Sequence, residues 1–292
     1  MPASIPKRQR VRLILNARSQ DGTPTWHWDD LVVLSSMPLM LAWSQTRRLS
    51  HSRRAKNNMA GVQSNQILAS LSNDQLRRLA PHLHSISLPA GKGLYEPGEV
   101  INHAYFLDSG LASETVVTGD GIGLEVFVTG NEGVIGIPAL LKYPSQTTRC
   151  TMQVDGLARR ILADQFSDEF LKNGLYHLFH RYLQSRFAQM SRLAFCSHSH
   201  SLEERLARWL ATAGDCTGLS RFKITQESLA LLLGVNRSSL TTVAGELQRG
   251  GLIECHRGSI AITNRRRLEG ACCECYSILR RDRTNLLAVN KE

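Results

Sequence analysis

Thr225-Gln-Glu-Ser-Leu-Ala-Leu-Leu-Leu-Gly-Val-Asn-Arg-Ser-Ser-Leu-Thr-Thr-Val-Ala-Gly-Glu-Leu-Gln-Arg-Gly-Gly251 scans as two capped helices around a tight turn. Thr225 is an N-cap, Glu227 sits near the positive end of the first helix, and Leu229, Leu232 and Leu233 share an inward face. Gly234 supplies the left-handed backbone that such a turn demands. Asn236 caps the second helix, whose buried positions are Leu240, Val243, Ala244 and Leu247 and which stops at Gly250-Gly251. Its opposite, leading face presents Arg237, Ser238, Thr241 and Thr242. This is helix-turn-helix geometry. The B-form major groove admits one α-helix, whose first residues meet base edges while the preceding helix crosses the backbone. Arg237 is the expected base reader, because a guanidinium donates two hydrogen bonds to O6 and N7 of a guanine. Ser238, Thr241 and Thr242 complete the base-reading face, and Thr225, Gln226, Asn236 and Ser239 lie at helix starts suited to DNA-backbone phosphates.

Downstream, Leu252 to Ile262 reads as two short strands joined by a His256-Arg257-Gly258 turn, a wing whose basic tip offers Arg257 to a phosphate. Arg265, Arg266 and Arg267 add positive charge and read as a solvated face. Upstream, Leu202 to Ala213 is a helix with Ser201 as N-cap and Glu203 and Glu204 in its first turn. Before it, a segment from about Leu175 to Cys196 places Phe179, Leu183, Phe187, Met190 and Ala194 at 4-4-3-4 spacing. So narrow a stripe suits a two-fold helix pair with a second subunit, with packing on its own barrel as the alternative.

Between Ile86 and Val154 the texture is different. Brief apolar runs (Ile86–Leu88, Gly93–Tyr95, Ala104–Leu107, Ala112–Val117, Gly123–Val128, Gly133–Ile137, Cys150–Val154) alternate with turn residues, as in an all-β barrel or roll. Two short helices lead into it from Asn65 to His84, with Ser72 as a cap and Pro81 near the end. The expected architecture is α+β: a jelly-roll-like β-roll (double-stranded β-helix) over 61–172, a dimerisation helix and hinge over 173–200, a winged helix-turn-helix over 201–285, and a tail over 286–292.

The 292 residues are 42% hydrophobic and 21% charged, which excludes collagen-like and wholly disordered chains. The net charge of +10 favours a polyanionic partner. Residues 1–60 hold 10 basic and 3 acidic side chains, 61–199 hold 11 and 12, and 200–292 hold 14 and 10, so the middle is neutral. Residues 1–60 lack sustained periodicity and read as a basic, mostly disordered extension. The uncharged run Leu31–Thr46 falls short of the roughly 20 apolar residues of a bilayer span, so no membrane partner is expected. Seven irregularly placed cysteines do not form a secreted disulfide framework, and a reducing cytosol, with the protein on the nucleoid, fits them better.

Taken in order, Leu94-Tyr-Glu-Pro-Gly-Glu99, Ala104-Tyr-Phe-Leu-Asp-Ser-Gly110, Glu132-Gly-Val-Ile-Gly136, the long helix and the winged motif resemble bacterial transcription regulators of the Crp/Fnr superfamily. The similarity runs from about Asn65 to Arg281. The resemblance implies a homodimer on double-stranded DNA with a palindromic operator, RNA polymerase as a further partner, and no enzymatic activity.

The chain departs from the cyclic-AMP-binding pattern that the resemblance brings with it. In Gly136, Ile137, Thr148 and Arg149, the candidate effector pocket, Ile137 stands where a glutamate would hold the ribose hydroxyl. Arg149 is displaced by one residue, which on a strand turns it to the other face. Cyclic AMP is therefore not expected, although another nucleotide or small molecule in the roll stays an alternative. No cysteine precedes Cys150, so the N-terminal iron–sulfur sensor of one branch is absent.

No metal or other cofactor is expected. His82-Leu-His84 faintly resembles a cupin metal motif, which would make the roll a metalloenzyme, but no carboxylate follows at short interval. His198 and His200 flank the hinge and read as surface residues, with a pH- or metal-sensitive role as the alternative. Cys272, Cys273 and Cys275, with only Cys255 or His256 as distant helpers, read as packing in a closing helix, with redox sensing as the alternative.

Overall fold

The computed structural model describes residues 64–119, 121–143, 146–166 and 176–288; the expectations for 1–60 and for the end of the tail lie outside them. Two short helices lead in, α1 (Gln66–Ala69) and α2 (Asn73–Leu79). Ser72 closes a capping box with Gln75, so two otherwise unpaired backbone donors are satisfied at once. Asn65 caps α1 and also donates to the carbonyls of Leu107 and Gly133 at 2.8 and 2.9 Å, fastening the leading helix to the domain that follows.

That domain is a roll of two four-stranded antiparallel sheets. One has the order β1 (His84–Leu88), β8 (Gly156–Leu162), β3 (His103–Leu107), β6 (Val134–Ile135). The other runs β2 (Gly93–Tyr95), β7 (Arg149–Val154), β4 (Leu111–Val117), β5 (Gly123–Thr129). The seven expected runs all carry strand, although Gly133–Ile137 is only partly so, because helix α3 (Ile137–Leu140) begins there after Gly136. Gly136 has φ +91°, and a Cβ on it would lie 2.5 Å from the His103 carbonyl, so a side chain is excluded. Strand β8 carries adjacent arginines and no alternating signal, and it was not expected. It is tolerated because Arg159 is buried against Asp108 at 2.8 Å.

Strand β4 is buried on both faces over Leu111–Thr115. Ala112 packs in the roll core with Phe106, Met152 and Ile161, whereas Leu111 packs with Val128 and Val154 against helices of the C-terminal domain. Helix α4 (Tyr176–Ser199) starts on the roll: Phe179 and Tyr182 are core residues, and the Tyr182 hydroxyl bonds both N–H and C=O of Val134 at 3.0 Å. Burial pushes that phenol up to about 12.

The C-terminal domain comprises α5 (Leu202–Thr217), β9 (Arg221–Phe222), α6 (Gln226–Leu233), α7 (Arg237–Arg249), β10 (Ile253–His256), β11 (Ser259–Ile262), α8 (Arg265–Gly270) and α9 (Glu274–Ala288). Ser201 and Glu204 form a capping box at the start of α5, as the sequence expects for the cap. Strands β10, β11 and β9 make an antiparallel sheet in the order β10-β11-β9. The two-residue β9 is too short to leave a signal in sequence.

Candidate nucleic-acid interface

Helices α6 and α7 are joined by Gly234, whose φ of +64° lets its N–H close α6 on the Ala230 and Leu231 carbonyls. Thr225 accepts from Ser228 N at 3.0 Å and Asn236 from Ser239 N at 2.8 Å, so both caps are formed by the side chains the sequence names. Leu229, Leu232, Leu233, Leu240, Ala244 and Leu247 are buried, and Val243 is half-buried. The core beneath them includes Trp209, Phe222, Ile253 and Ile260.

Fixing that face inward leaves the other outward. Asn236, Arg237, Ser238, Ser239, Thr241 and Thr242 are all exposed along the first two turns of α7. Thr225 is exposed and Gln226 half-buried at the start of α6, where the free N–H groups carry partial positive charge. The Gln226 amide oxygen lies 2.8 Å from the Thr241 hydroxyl, which pins the two helix starts together. Thr242 back-bonds to the Ser238 carbonyl at 3.2 Å. The turn His256-Arg257-Gly258 closes the wing with Gly258 at φ +73°, and Arg257 is exposed at its tip. A helix face with one arginine, four hydroxyls and a basic wing beside it can enter a groove and touch the flanking phosphates.

Several expected site residues stand elsewhere. Phe179 is 5% exposed within the roll core and the half-buried Leu183 packs against it, so the roll covers this part of the stripe. The physical reason is helical phase: Phe179 and Phe187 are eight residues apart, which rotates them by about 80°. The exposed positions of α4 instead include His180, Gln184, Phe187, Met190, Ser191, Ala194, Phe195 and His198, and Phe187 is 59% exposed. The four candidate effector residues do not converge. Thr148 is buried and Ile137 packs on the roll core, while Arg149 points outward to Glu96 at 2.7 Å, beside Lys223 and Thr225 in an external cleft. Arg265 is no solvated charge: it bonds Asp215 and Glu269, both at 2.6 Å, and the Ala211 carbonyl at 2.8 Å, locking α8 to α5.

Sequence patterning missed three constellations. Arg186 of α4 reaches Glu114 of β4 at 2.5 Å and Thr129 at 2.9 Å, with its guanidinium 3.8 Å from the Phe127 ring centre. Glu125 of β5 accepts from Trp209 Nε1 of α5 at 3.0 Å and from Ser113 at 2.5 Å. Burial pushes the Glu125 carboxyl up, against the pull of Ser113 and Arg208. Finally, the cysteine run does not recruit Cys255 or His256. Cys273 and Cys275 meet Cys196 and His200, while the Cys272 thiol turns to the Leu268 carbonyl at 3.3 Å. His82 and His84 take part in no metal-competent group among the described residues.

Residues 204–271 match the family model of the Crp-like helix-turn-helix domain. No curated protein sequence matches the chain. Among solved structures, one described as a transcriptional regulator of the Crp/Fnr family from Eubacterium rectale is 18% identical at a TM-score of 0.57, covering 70% of this chain and 96% of that one. A CRP-family transcriptional regulator of Thermus thermophilus is 19% identical at 0.55, covering 64% and 95%. The c-di-GMP-responsive global regulator CLP of Xanthomonas campestris is 17% identical at 0.53, covering 66% and 100%.

Proposed function

We propose that this chain, which has the fold of the Crp/Fnr transcription regulators and carries their Crp-like helix-turn-helix domain, binds a palindromic DNA operator as a homodimer without cyclic AMP. The observation that carries the reading is the outward face of α7, where Arg237, Ser238, Thr241 and Thr242 stand exposed above a fully packed opposite face. Arg237 reads a guanine, and Ser238, Thr241 and Thr242 contact neighbouring base edges. The starts of α6 and α7 at Thr225, Gln226, Asn236 and Ser239, together with Arg257 on the wing, meet phosphates.

Two copies pair through the exposed stripe of α4. His180, Gln184, Phe187, Ser191, Ala194 and His198 recur at 4-3-4-3-4, the spacing of a coiled-coil seam, and Met190 and Phe195 flank it. Exposed aromatic and methionine side chains on one helix face are what such a pairing would cover. The reading without cyclic AMP is supported by Ile137, which offers the ribose no acceptor, and by Arg149, which is held outside the roll by Glu96.

Selection of bound duplexes from a random pool, with the full chain at low ionic strength, tests this reading. Enriched sites should be two-fold symmetric, with half-sites spaced about 10–10.5 base pairs centre to centre or a multiple of that. Absence of enrichment overturns DNA reading, and asymmetric sites overturn the dimer. Saturable heat on titration with cyclic AMP overturns the ligand statement.

A further inference from the structure

At the hinge between α4 and α5, four side chains that no sequence motif connects turn toward one point. Cys196 and His200 are four residues apart near the end of α4, hence on one face of the helix. Cys273 and Cys275 flank Glu274 where α9 begins, and Cys273 lies 77 residues from Cys196. Their four donor atoms lie within 4.8 Å of one another. Cys196 Sγ is 3.5 Å from Cys273 Sγ, and Cys275 Sγ is 3.7 Å from His200 Nδ1. A tetrahedral ion with ~2.3 Å bonds to sulfur has ligand-to-ligand edges of about 3.8 Å. The Cys196–Cys273 and Cys275–His200 separations are close to that edge.

We propose that Cys196, His200, Cys273 and Cys275 bind one zinc ion that clamps α9 to the hinge. Three thiolates and one imidazole are a ligand set of closed structural zinc sites, and sulfur donors select zinc over harder divalent ions. Convergence within 4.8 Å suits one ion, whereas an iron–sulfur cluster spreads its thiolates around several irons. The outer layer fits as well. His200 turns Nδ1 inward and places Nε2 3.0 Å from the Glu274 carboxylate, which fixes the ring and raises its basicity as a ligand. Cys196, Cys273 and Cys275 are buried together, so the site excludes water. Three thiolates on a divalent ion leave one negative charge, and the buried Arg208 lies beside Cys196 to balance it.

Binding replaces as many as three S–H bonds by S–Zn bonds; the protons leave to buffer and no electron moves. The clamp closes a loop that contains the whole helix-turn-helix and the wing. Because Cys196 and His200 stand at the end of α4 and the other two ligands follow the wing, the ion ties the start of the C-terminal domain to the start of its last helix.

Elemental analysis of the purified full chain should find about one zinc per polypeptide. After chelation under reducing, anaerobic conditions, titration with Co2+ should give a thiolate-to-cobalt charge-transfer band and the strong visible bands of tetrahedral cobalt, saturating at about one equivalent. Cys273→Ser should abolish stoichiometric zinc. Glu274→Gln, which leaves all four ligands in place, should weaken zinc affinity by about 10–100-fold. The proposal is overturned by a metal-free chain that shows no cobalt band, by stoichiometric iron in place of zinc, by zinc retained in Cys273→Ser, or by a Cys196–Cys273 disulfide whose reduction restores no metal binding. The cobalt titration uses the unaltered chain, so the test stands even where Cys273→Ser fails to fold.

Discussion

Replacing Arg186 by methionine should be one of the costliest single changes in the molecule. Its guanidinium is buried, bonded to Glu114 at 2.5 Å and to Thr129 at 2.9 Å, and stacked over Phe127 at 3.8 Å. Removing it leaves the Glu114 carboxylate without its counter-charge in a buried place. Breaking such a pair from one side costs about 3–5 kcal/mol, whereas replacing both partners by apolar groups of similar volume is much closer to neutral. Arg186→Met and Glu114→Leu should therefore each destabilise by about 3–5 kcal/mol, and the double variant should cost less than either single, falling short of their sum by more than about 3 kcal/mol. Urea denaturation followed by far-UV circular dichroism reads this, at one fixed protein concentration because assembly stabilises by mass action. Additivity within about 0.5 kcal/mol would refute the reasoning, since the two residues would then not act as a pair.

Arg237→Ala should flatten base preference at one position of each half-site, a loss of about 1–3 kcal/mol of discrimination visible in competition with variant operators. Arg257→Ala should instead weaken all sequences alike and lower the salt slope by about one. Phe187→Glu, on the exposed stripe of α4, should shift the chain to monomer in sedimentation, whereas Phe179→Ala should cost about 3–5 kcal/mol of stability and leave association unchanged. Because burial raises the Glu125 carboxyl above its ordinary range, its contribution is full below about pH 4.3 and is lost as pH rises through the raised value. Glu125→Gln should then gain stability relative to the parent as pH climbs from that point, as a pH series of denaturation curves would show; a difference independent of pH refutes it.

What was legible in the sequence is what a periodic pattern or a cap reports. Leu229, Leu232 and Leu233, the caps Thr225 and Asn236, and Gly234 form a local code, and the structure reproduces it. Strand β8 escaped because a buried Arg159 reads as polar until Asp108, 51 residues away, is placed beside it. On α4, Phe179 and Leu183 announce an apolar stripe, but only the roll decides that this part of it faces inward. The convergence of Cys196, His200, Cys273 and Cys275 was not legible either. A helix pair Cys196/His200 and a tight pair Cys273/Cys275 each carry too little information alone, and no local pattern joins them.

The same limit explains why the coupling between domains is invisible in sequence and simple in space. Over Leu111–Thr115 strand β4 is buried on both faces: its Ala112 face joins the roll core and its Leu111 face joins the core of the C-terminal domain. Pairing with β5 sets Thr115 opposite Glu125, with a bulge between Glu114 and Thr115. Glu114 is held by α4 through Arg186, and Glu125 by α5 through Trp209. The helix that would pair two subunits and the helix that opens the DNA-binding domain are thus each bonded to a buried carboxylate on the same strand pair. A change in the spacing of β4 and β5 alters both contacts together, because neither carboxylate has water to fall back on. If that coupling operates, Glu125→Gln and Arg186→Met should show non-additive effects on operator affinity although neither residue lies on the exposed face of α7. Strictly additive effects on affinity would mean that the two contacts stabilise the fold without linking its domains.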